Sequence, residues 1–423
     1  MSRKRLFVLL AIVALAVLGA LAFWLSRPQQ VAALVLGAAG RALGLEITAS
    51  GAAEYRLRGT PTLVLRDLDA RLPGASTPLL QADRARLSLP WHTLRSRGAD
   101  LTLERIELDG PRLQWPALMA WLDARPPSDA PPRLPVLTDG VQVRDGHVDG
   151  DGWALHGLAL DAPRFHPTRP FSATVRGDYI DPPSRARFDL AVELGQAQAL
   201  LDGEPSALQL RGTLAADLDG KRVPATIVLS GPVQREAGRV TIAPMRFGTS
   251  ARYEADVTRL PFLLGMHGRL QLEDDGLLIA PDALVLDGTG DASPIPSLQA
   301  HGQLVLRPGE APLALALDGR LAGWPTAWPT LPPPLGQSRA PLPFSLRYAG
   351  PFDASSPARL RLEREQTRFD ARFRLPAVLA WLDAIATGTP LPPIEGRLQT
   401  PEVQIAGATL RGVELSFESD EAQ

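Results

Sequence analysis

The sequence predicts a mainly β protein, built of antiparallel meanders behind one N-terminal transmembrane helix and carrying a few short helices. Three observations predict it. Apolar and polar residues alternate with a period of two over most of the chain. Turn dipeptides punctuate those runs. The 20-residue stretch Leu6–Leu25 contains no charged residue and is long enough as a helix to span a bilayer's hydrocarbon core.

Taken in order, Arg3, Lys4 and Arg5 precede the apolar run and Arg27 alone follows closely. The positive-inside rule then keeps the N-terminus in the cytoplasm and exports the rest. Phe23 and Trp24 suit the outer interface. The rival is a cleaved signal peptide with its small-x-small site at Ala20-Leu21-Ala22. A second helix is expected from Pro28, tolerated in a first turn, to about Leu43.

From Leu45 onward the period is two. Leu208, Leu210, Leu214 and Leu218 share one face, against Gln209, Arg211, Thr213 and Asp217 on the other. Phe188, Leu190, Val192 and Leu194 repeat the pattern, as do Leu313, Leu315, Leu317 and Leu321, and Phe369, Ala371, Phe373 and Leu375. Asp109-Gly110, Asp219-Gly220 and Asp275-Gly276 read as hairpin turns. About two dozen strands are expected, most of them wet on one face.

One motif recurs. Pro116–Ala124 reads PALMAWLDA and Pro376–Ala384 reads PAVLAWLDA, each after a strand, with Pro at a suitable first helical position, and each ahead of a Pro-rich link. Trp324-Pro325-Thr326-Ala327-Trp328 is a degenerate third copy. These are expected to be short helices plugging the sheet through Trp121 and Trp381. So few helical residues leave the apolar strand faces to be covered by a second sheet, by barrel closure or by an apolar ligand.

Composition and motifs exclude several chemistries. Formal net charge is −2 among 423 residues, with no basic surplus for nucleic acid. There is no cysteine, hence no disulfide, thiolate nucleophile or cysteine metal site. Lysine occurs only at Lys4 and Lys221. The stretch Asp145-Gly-His147-Val-Asp149-Gly-Asp151-Gly152 lacks the register and closing Glu of a calcium loop and reads as turns. His147, His156 and His166 lack ligand spacing, and no nucleophile-elbow, dinucleotide or phosphate-loop motif occurs. No catalytic residue, metal or cofactor is assigned. Arg368, Arg372 and Arg374 form a solvated strand face that also suits anionic head groups.

The order of strands between Leu45 and Trp115 resembles the N-terminal region of the AsmA family. It runs through Gly44-Leu45-Glu46-Ile47-Thr48, then Pro61–Leu68, then Pro78–Leu89 with its Ala-Asp-x-x-x-Leu pattern. It ends in Ile106-Glu-Leu108-Asp109-Gly110-Pro111, and Val141–Gly146 also fits. The match covers about a sixth of the chain. The resemblance implies an elongated, curved sheet forming an apolar groove for acyl chains, and a role in lipid traffic or outer-membrane homeostasis. On this reading residues 1–27 are cytoplasmic stub and anchor, 28–140 the family-like N-terminal region, 141–417 a continuing groove body and 418–423 a polar tail. The expected function is a non-enzymatic, inner-membrane-anchored periplasmic protein that binds phospholipid or another acyl lipid. Leu208, Leu210, Leu214, Leu218, Leu313, Leu315, Leu317, Phe369 and Phe373 are its groove candidates. Its partners are that lipid, the inner membrane and an envelope protein, with no nucleic acid. The alternatives are an assembly factor that carries no lipid and, more remotely, a periplasmic enzyme such as a glycan hydrolase.

Overall fold

The computed structural model describes residues 36–417 except 38–39, 42, 52, 57–58, 96–101, 125–133, 237, 256–257, 274–275, 291–292, 308, 310, 327, 329–339, 385–392 and 406–407. The run Leu6–Leu25, the start of the helix expected from Pro28, and the tail 418–423 lie outside the described residues. No helix among the described residues is long and apolar enough to cross a membrane. The chain forms two compact units, Met1–Pro182 and Pro183–Gln423, and is mainly β in both.

In the first unit, residues 36–37, 40–41 and 43 are helical. That helix ends as the sequence suggests: Gly44 takes φ 67°, and the Leu45 amide donates to the Gly40 carbonyl at 2.9 Å, a closing bond that a left-handed residue makes available. The strands are β1 (Glu46–Ala49), β2 (Glu54–Arg56), β3 (Thr62–Arg71), β4 (Leu80–Ser88), β5 (Thr102–Leu103), β6 (Arg105–Asp109), β7 (Arg112–Gln114), β8 (Val136–Leu137), β9 (Val141–Asp149), β10 (Ala154–Ala162) and β11 (Phe171–Asp181). Helices α1 (Trp91–Arg95) and α2 (Trp115–Asp123) interrupt them. Leu63, Leu65 and Ala85 form the buried centre, with Leu36, Leu68 and Leu108 packed on it.

Two expectations are corrected here. The sheet was expected to consist of antiparallel meanders, and most pairings are antiparallel, but β9 runs parallel to β6 and β7, and β5 runs parallel to β8. The chain between β7 and β9 passes through α2 and the following Pro-rich link, and a connection of that length permits a parallel return where a tight turn does not. Asp109-Gly110 is also not a hairpin. Strands β6 and β7 both pair with β4 and both pair with β9, so the dipeptide kinks one interrupted strand at Gly110, φ 59°. A Cβ there would meet the Asp83 carboxylate.

The second unit is a meander. Its strands are β12 (Ser184–Leu194), β13 (Ser206–Leu218), β14 (Lys221–Glu236), β15 (Arg239–Ala255), β16 (Thr258–Glu273), β17 (Gly276–Gly288), β18 (Leu298–Leu306), β19 (Leu313–Leu321), β20 (Leu342–Gly350), β21 (Ala358–Arg364), β22 (Thr367–Phe373), β23 (Ile394–Ile405) and β24 (Ala408–Phe417). Each pairs antiparallel with the next. Asp219-Gly220 does form the expected two-residue turn, both residues having positive φ (54° and 78°), as a turn matched to strand twist requires. Helices α3 (Ala197–Leu201) and α4 (Leu375–Ala384) are short.

Prolines mark where the ladder shifts. Register slips by one residue between Ser230 and Val233, between Ile242 and Met245, and between Ile279 and Leu284. Pro232, Pro244 and Pro281 fall within these intervals. A residue without an N–H cannot complete a ladder, and a bulge is where its absence costs least.

Candidate functional site

Directly opposed residues of an antiparallel pair project from the same face of a sheet. In the second unit this rule traces an uninterrupted row across every strand. It begins Val192–Leu210–Leu229–Phe247–Met266–Leu284. It continues Ala300–Gly319–Phe344–Leu362–Phe369–Leu398–Leu415. Apart from Gly319, all of these are apolar. Flanking rows behave alike, for example Ile227–Thr249–Leu264–Leu286–Leu298–Leu321–Leu342.

The opposite face is mostly polar, although Val228, Leu263 and Val285 stand exposed on it, and it carries exposed ion pairs between neighbouring strands. Arg211 meets Glu193 at 2.7 Å, Arg361 meets Asp370 at 2.6 Å and Arg397 meets Glu414 at 3.0 Å. Arg347 holds both Asp318 oxygens, at 2.9 and 2.7 Å. That hydrogen bonding keeps the Asp318 carboxyl below its ordinary range. Arg368, one of the arginines of the expected solvated face, pairs with Glu363 at 3.4 Å.

All nine residues nominated from the sequence lie on the apolar face, but in three environments. Leu208 packs with Val233, Ile242 and Met245, a buried cluster that Leu200 of α3 also joins. Leu210, Leu214 and Leu218 are half-buried. Leu317 is only 8% exposed, and it belongs to a sealed cluster with Ala300, Leu321, Leu342, Phe344, Leu362 and Leu398 against which Leu315 and Phe369 pack. Leu313 and Phe373 are half-buried, Phe373 opposite Ala358 and Ile394.

The face therefore changes character along the meander. From β12 to β17 its central side chains are half-buried; Phe247, Phe262, Leu264, Met266, Leu284 and Leu286 all keep some exposure. From β18 to β23 most of them are buried, with Leu362 and Leu398 at 0%, while Phe369 packs against them partly exposed. Trp324 packs onto this sealed part and meets the Trp328 ring edge-on at 4.8 Å. The segment expected to be a third short helix is thus irregular among its described residues, yet its tryptophan covers the apolar face. At β24 the face opens again, Leu415 being exposed.

Lys221 belongs to the apolar side, as by the same parity does Arg235, which opposes Val240 at the other rim. Lys221 opposes Leu218, which opposes Ser184, so its side chain issues from the rim of the half-open section. It is half-buried. The Asp353 carboxyl, in the turn between β20 and β21, is held low mainly by hydrogen bonds from Ser355, with the Lys221 charge adding to the effect. Strand direction alternates at each hairpin, so β14 starts and β20 ends on opposite rims.

Sequence reading missed Phe247, Met266 and Leu284. Simple alternation loses phase at the bulges, and the prolines at 244 and 281 are the signal that it must be reset. Among the described residues no group of three or more His, Asp or Glu side chains is arranged to hold a metal. His147 and His156 do approach, with ring centroids 5.2 Å apart.

Comparison with family models, with curated proteins and with solved structures finds no match. The likeness to the AsmA family rests on the residues quoted above alone.

Proposed function

We propose that this chain is a non-enzymatic, inner-membrane-anchored protein of the bacterial envelope that binds phospholipid or another acyl lipid on the apolar face of its second unit. The observation that supports this most is the continuous apolar row of the meander, whose side chains from β12 to β17 are half-buried and not sealed. Water-facing apolar area of that extent is unfavourable. Each methylene laid against it and withdrawn from water contributes about 0.8 kcal/mol, so tails can be held without a dedicated head-group pocket. The AsmA-like strand order from Leu45 to Trp115 and the charge-free run Leu6–Leu25 supply the envelope and anchor parts of the reading.

The test is lipid extraction and mass spectrometry on the full chain purified from membranes. Leu214→Asp and Leu264→Asp each put a carboxylate where tails would lie, while Ser250→Asp on the polar face is the control. Bound lipid should fall at least several-fold in the first two and persist in the third, with folding checked by circular dichroism. Unchanged lipid in folded inner-face variants sinks the proposal. A reporter that works only in the periplasm, fused after Gln423, should be active; a silent reporter on a stable fusion removes the envelope assignment.

One feature favours an assembly factor that carries no lipid. Strand β24 pairs with β23 and with no other described strand, and Leu410 and Leu415 beside that edge are exposed. An open edge of this kind accepts a strand from another chain. Purified protein free of lipid but bound to an envelope protein through β24 would support that reading instead.

A further inference from the structure

The apolar face is not uniform, and its two parts differ in kind. Between β12 and β17 its central side chains keep solvent contact. From Ala300 onward most of them close on one another, to 0% exposure at Leu362 and Leu398, with Phe369 and Trp324 packed against them. An acyl chain gains little from a surface that protein atoms already cover, and entering it would require separating a close-packed core. The half-open part therefore has an end, at β18. It also has a polar margin. Lys221 is the lone lysine after Lys4, and it projects on the apolar side at the rim next to Leu218. No ion pair joins it to a described carboxylate. A half-buried ammonium beside an apolar wall, with the Asp353 carboxylate acting on it only beyond ion-pair contact, suits an anionic group attached to apolar tails.

We infer that the second unit holds a bounded site for an anionic acyl lipid, with tails on the half-open wall of β12–β17, the head group at Lys221 and the sealed wall from β18 as its closed end. This rests on the acyl-lipid reading and deepens it. The site takes up and releases a lipid at one place; it does not pass lipid along the whole meander. Five interstrand steps separate β12 from β17, about 24 Å at the usual spacing, a length on the scale of one lipid molecule rather than a row of them.

The experiment replaces four phenylalanines of the same face, one at a time, with the photo-crosslinker p-benzoylphenylalanine in the full chain. Phe247 and Phe262 stand on the half-open wall; Phe344 is buried in the sealed one and Phe369 packs against it partly exposed. Each protein, melting like the unaltered chain, is irradiated with vesicles of phosphatidylglycerol or of phosphatidylcholine. Phosphatidylglycerol adducts are expected at positions 247 and 262, at least tenfold above those at 369. Position 344 is read only if that variant folds. Equal adducts on both walls overturn the bounded site and make the face a through-path. Lys221→Gln should reduce the preference for phosphatidylglycerol over phosphatidylcholine roughly fivefold, the effect of one basic side chain at a lipid head group. An unchanged preference overturns the head-group assignment. No adduct at any position, in folded protein, removes the acyl-lipid reading itself, an outcome distinct from the other two.

Discussion

Gly319 is the narrowest point of the apolar row. A Cβ there would lie 2.1 Å from the Gln299 carbonyl oxygen and 2.7 Å from the Ala300 Cα, so strand β19 approaches β18 more closely than a side chain permits. Gly319→Ala should lower stability by about 1–3 kcal/mol, the usual cost of forcing atoms into a packed core, read as a shift in the denaturation midpoint. A change below a few tenths would mean that the strands part freely. One residue beyond, Asp318 is held by Arg347. Its carboxyl is depressed in the folded protein, so its contribution is present above the ordinary carboxylate pKa and is lost as pH falls through the lowered one. Both side chains are 45% exposed, which keeps that contribution under about 1 kcal/mol. The midpoint gap between the unaltered chain and Asp318→Asn should therefore be small at neutral pH and vanish on acidification; a gap that widens in acid contradicts the assignment. At this scale the sequence is a good guide to which face a residue takes. It is a poor guide to burial, since Leu210 and Leu317 read alike and only one is sealed.

The two copies of the short helical motif were legible as helices, and both form. Their surroundings were not legible. In α4, Trp381 is 8% exposed. In α2 no residue is buried, and the Trp121 indole nitrogen donates to the Leu43 carbonyl at 2.9 Å. A near-identical segment thus serves as a packed plug in one unit and as a surface element in the other, because burial is decided by what lies opposite. Trp381→Ala should cost about 3–5 kcal/mol as a filled volume empties, and Trp121→Ala distinctly less. Thermal melts of the two variants that coincide would refute the difference. Strand pairing was also only partly legible. Hairpin turns announce themselves locally, as at Asp219-Gly220, but the parallel placement of β9 depends on a connection through α2 that carries no pairing signal of its own.

Across the molecule, mainly β structure follows from the two-residue period, while the division after Pro182 and the sealed half of the apolar face do not. Both arise from contacts between residues far apart in sequence, Trp324 against the face being one. The in-register row of the second unit has a consequence for how such a chain can change length. Strand direction and side-chain parity are both restored after every second strand, so the smallest removable piece is a hairpin. Excising residues 239–275 takes out β15 and β16 together and joins β14 to β17 on the same rim through the two residues that follow Glu236. Leu229 would then oppose Leu284, one apolar residue against another, with the remaining bulge still matched. The shortened protein should fold with a β spectrum and a lower melting temperature, whereas excising β15 alone would turn every later strand end for end and give aggregate. Span, in this architecture, is a quantity inherited in steps of two strands, adjustable without redesigning any single residue of the wall.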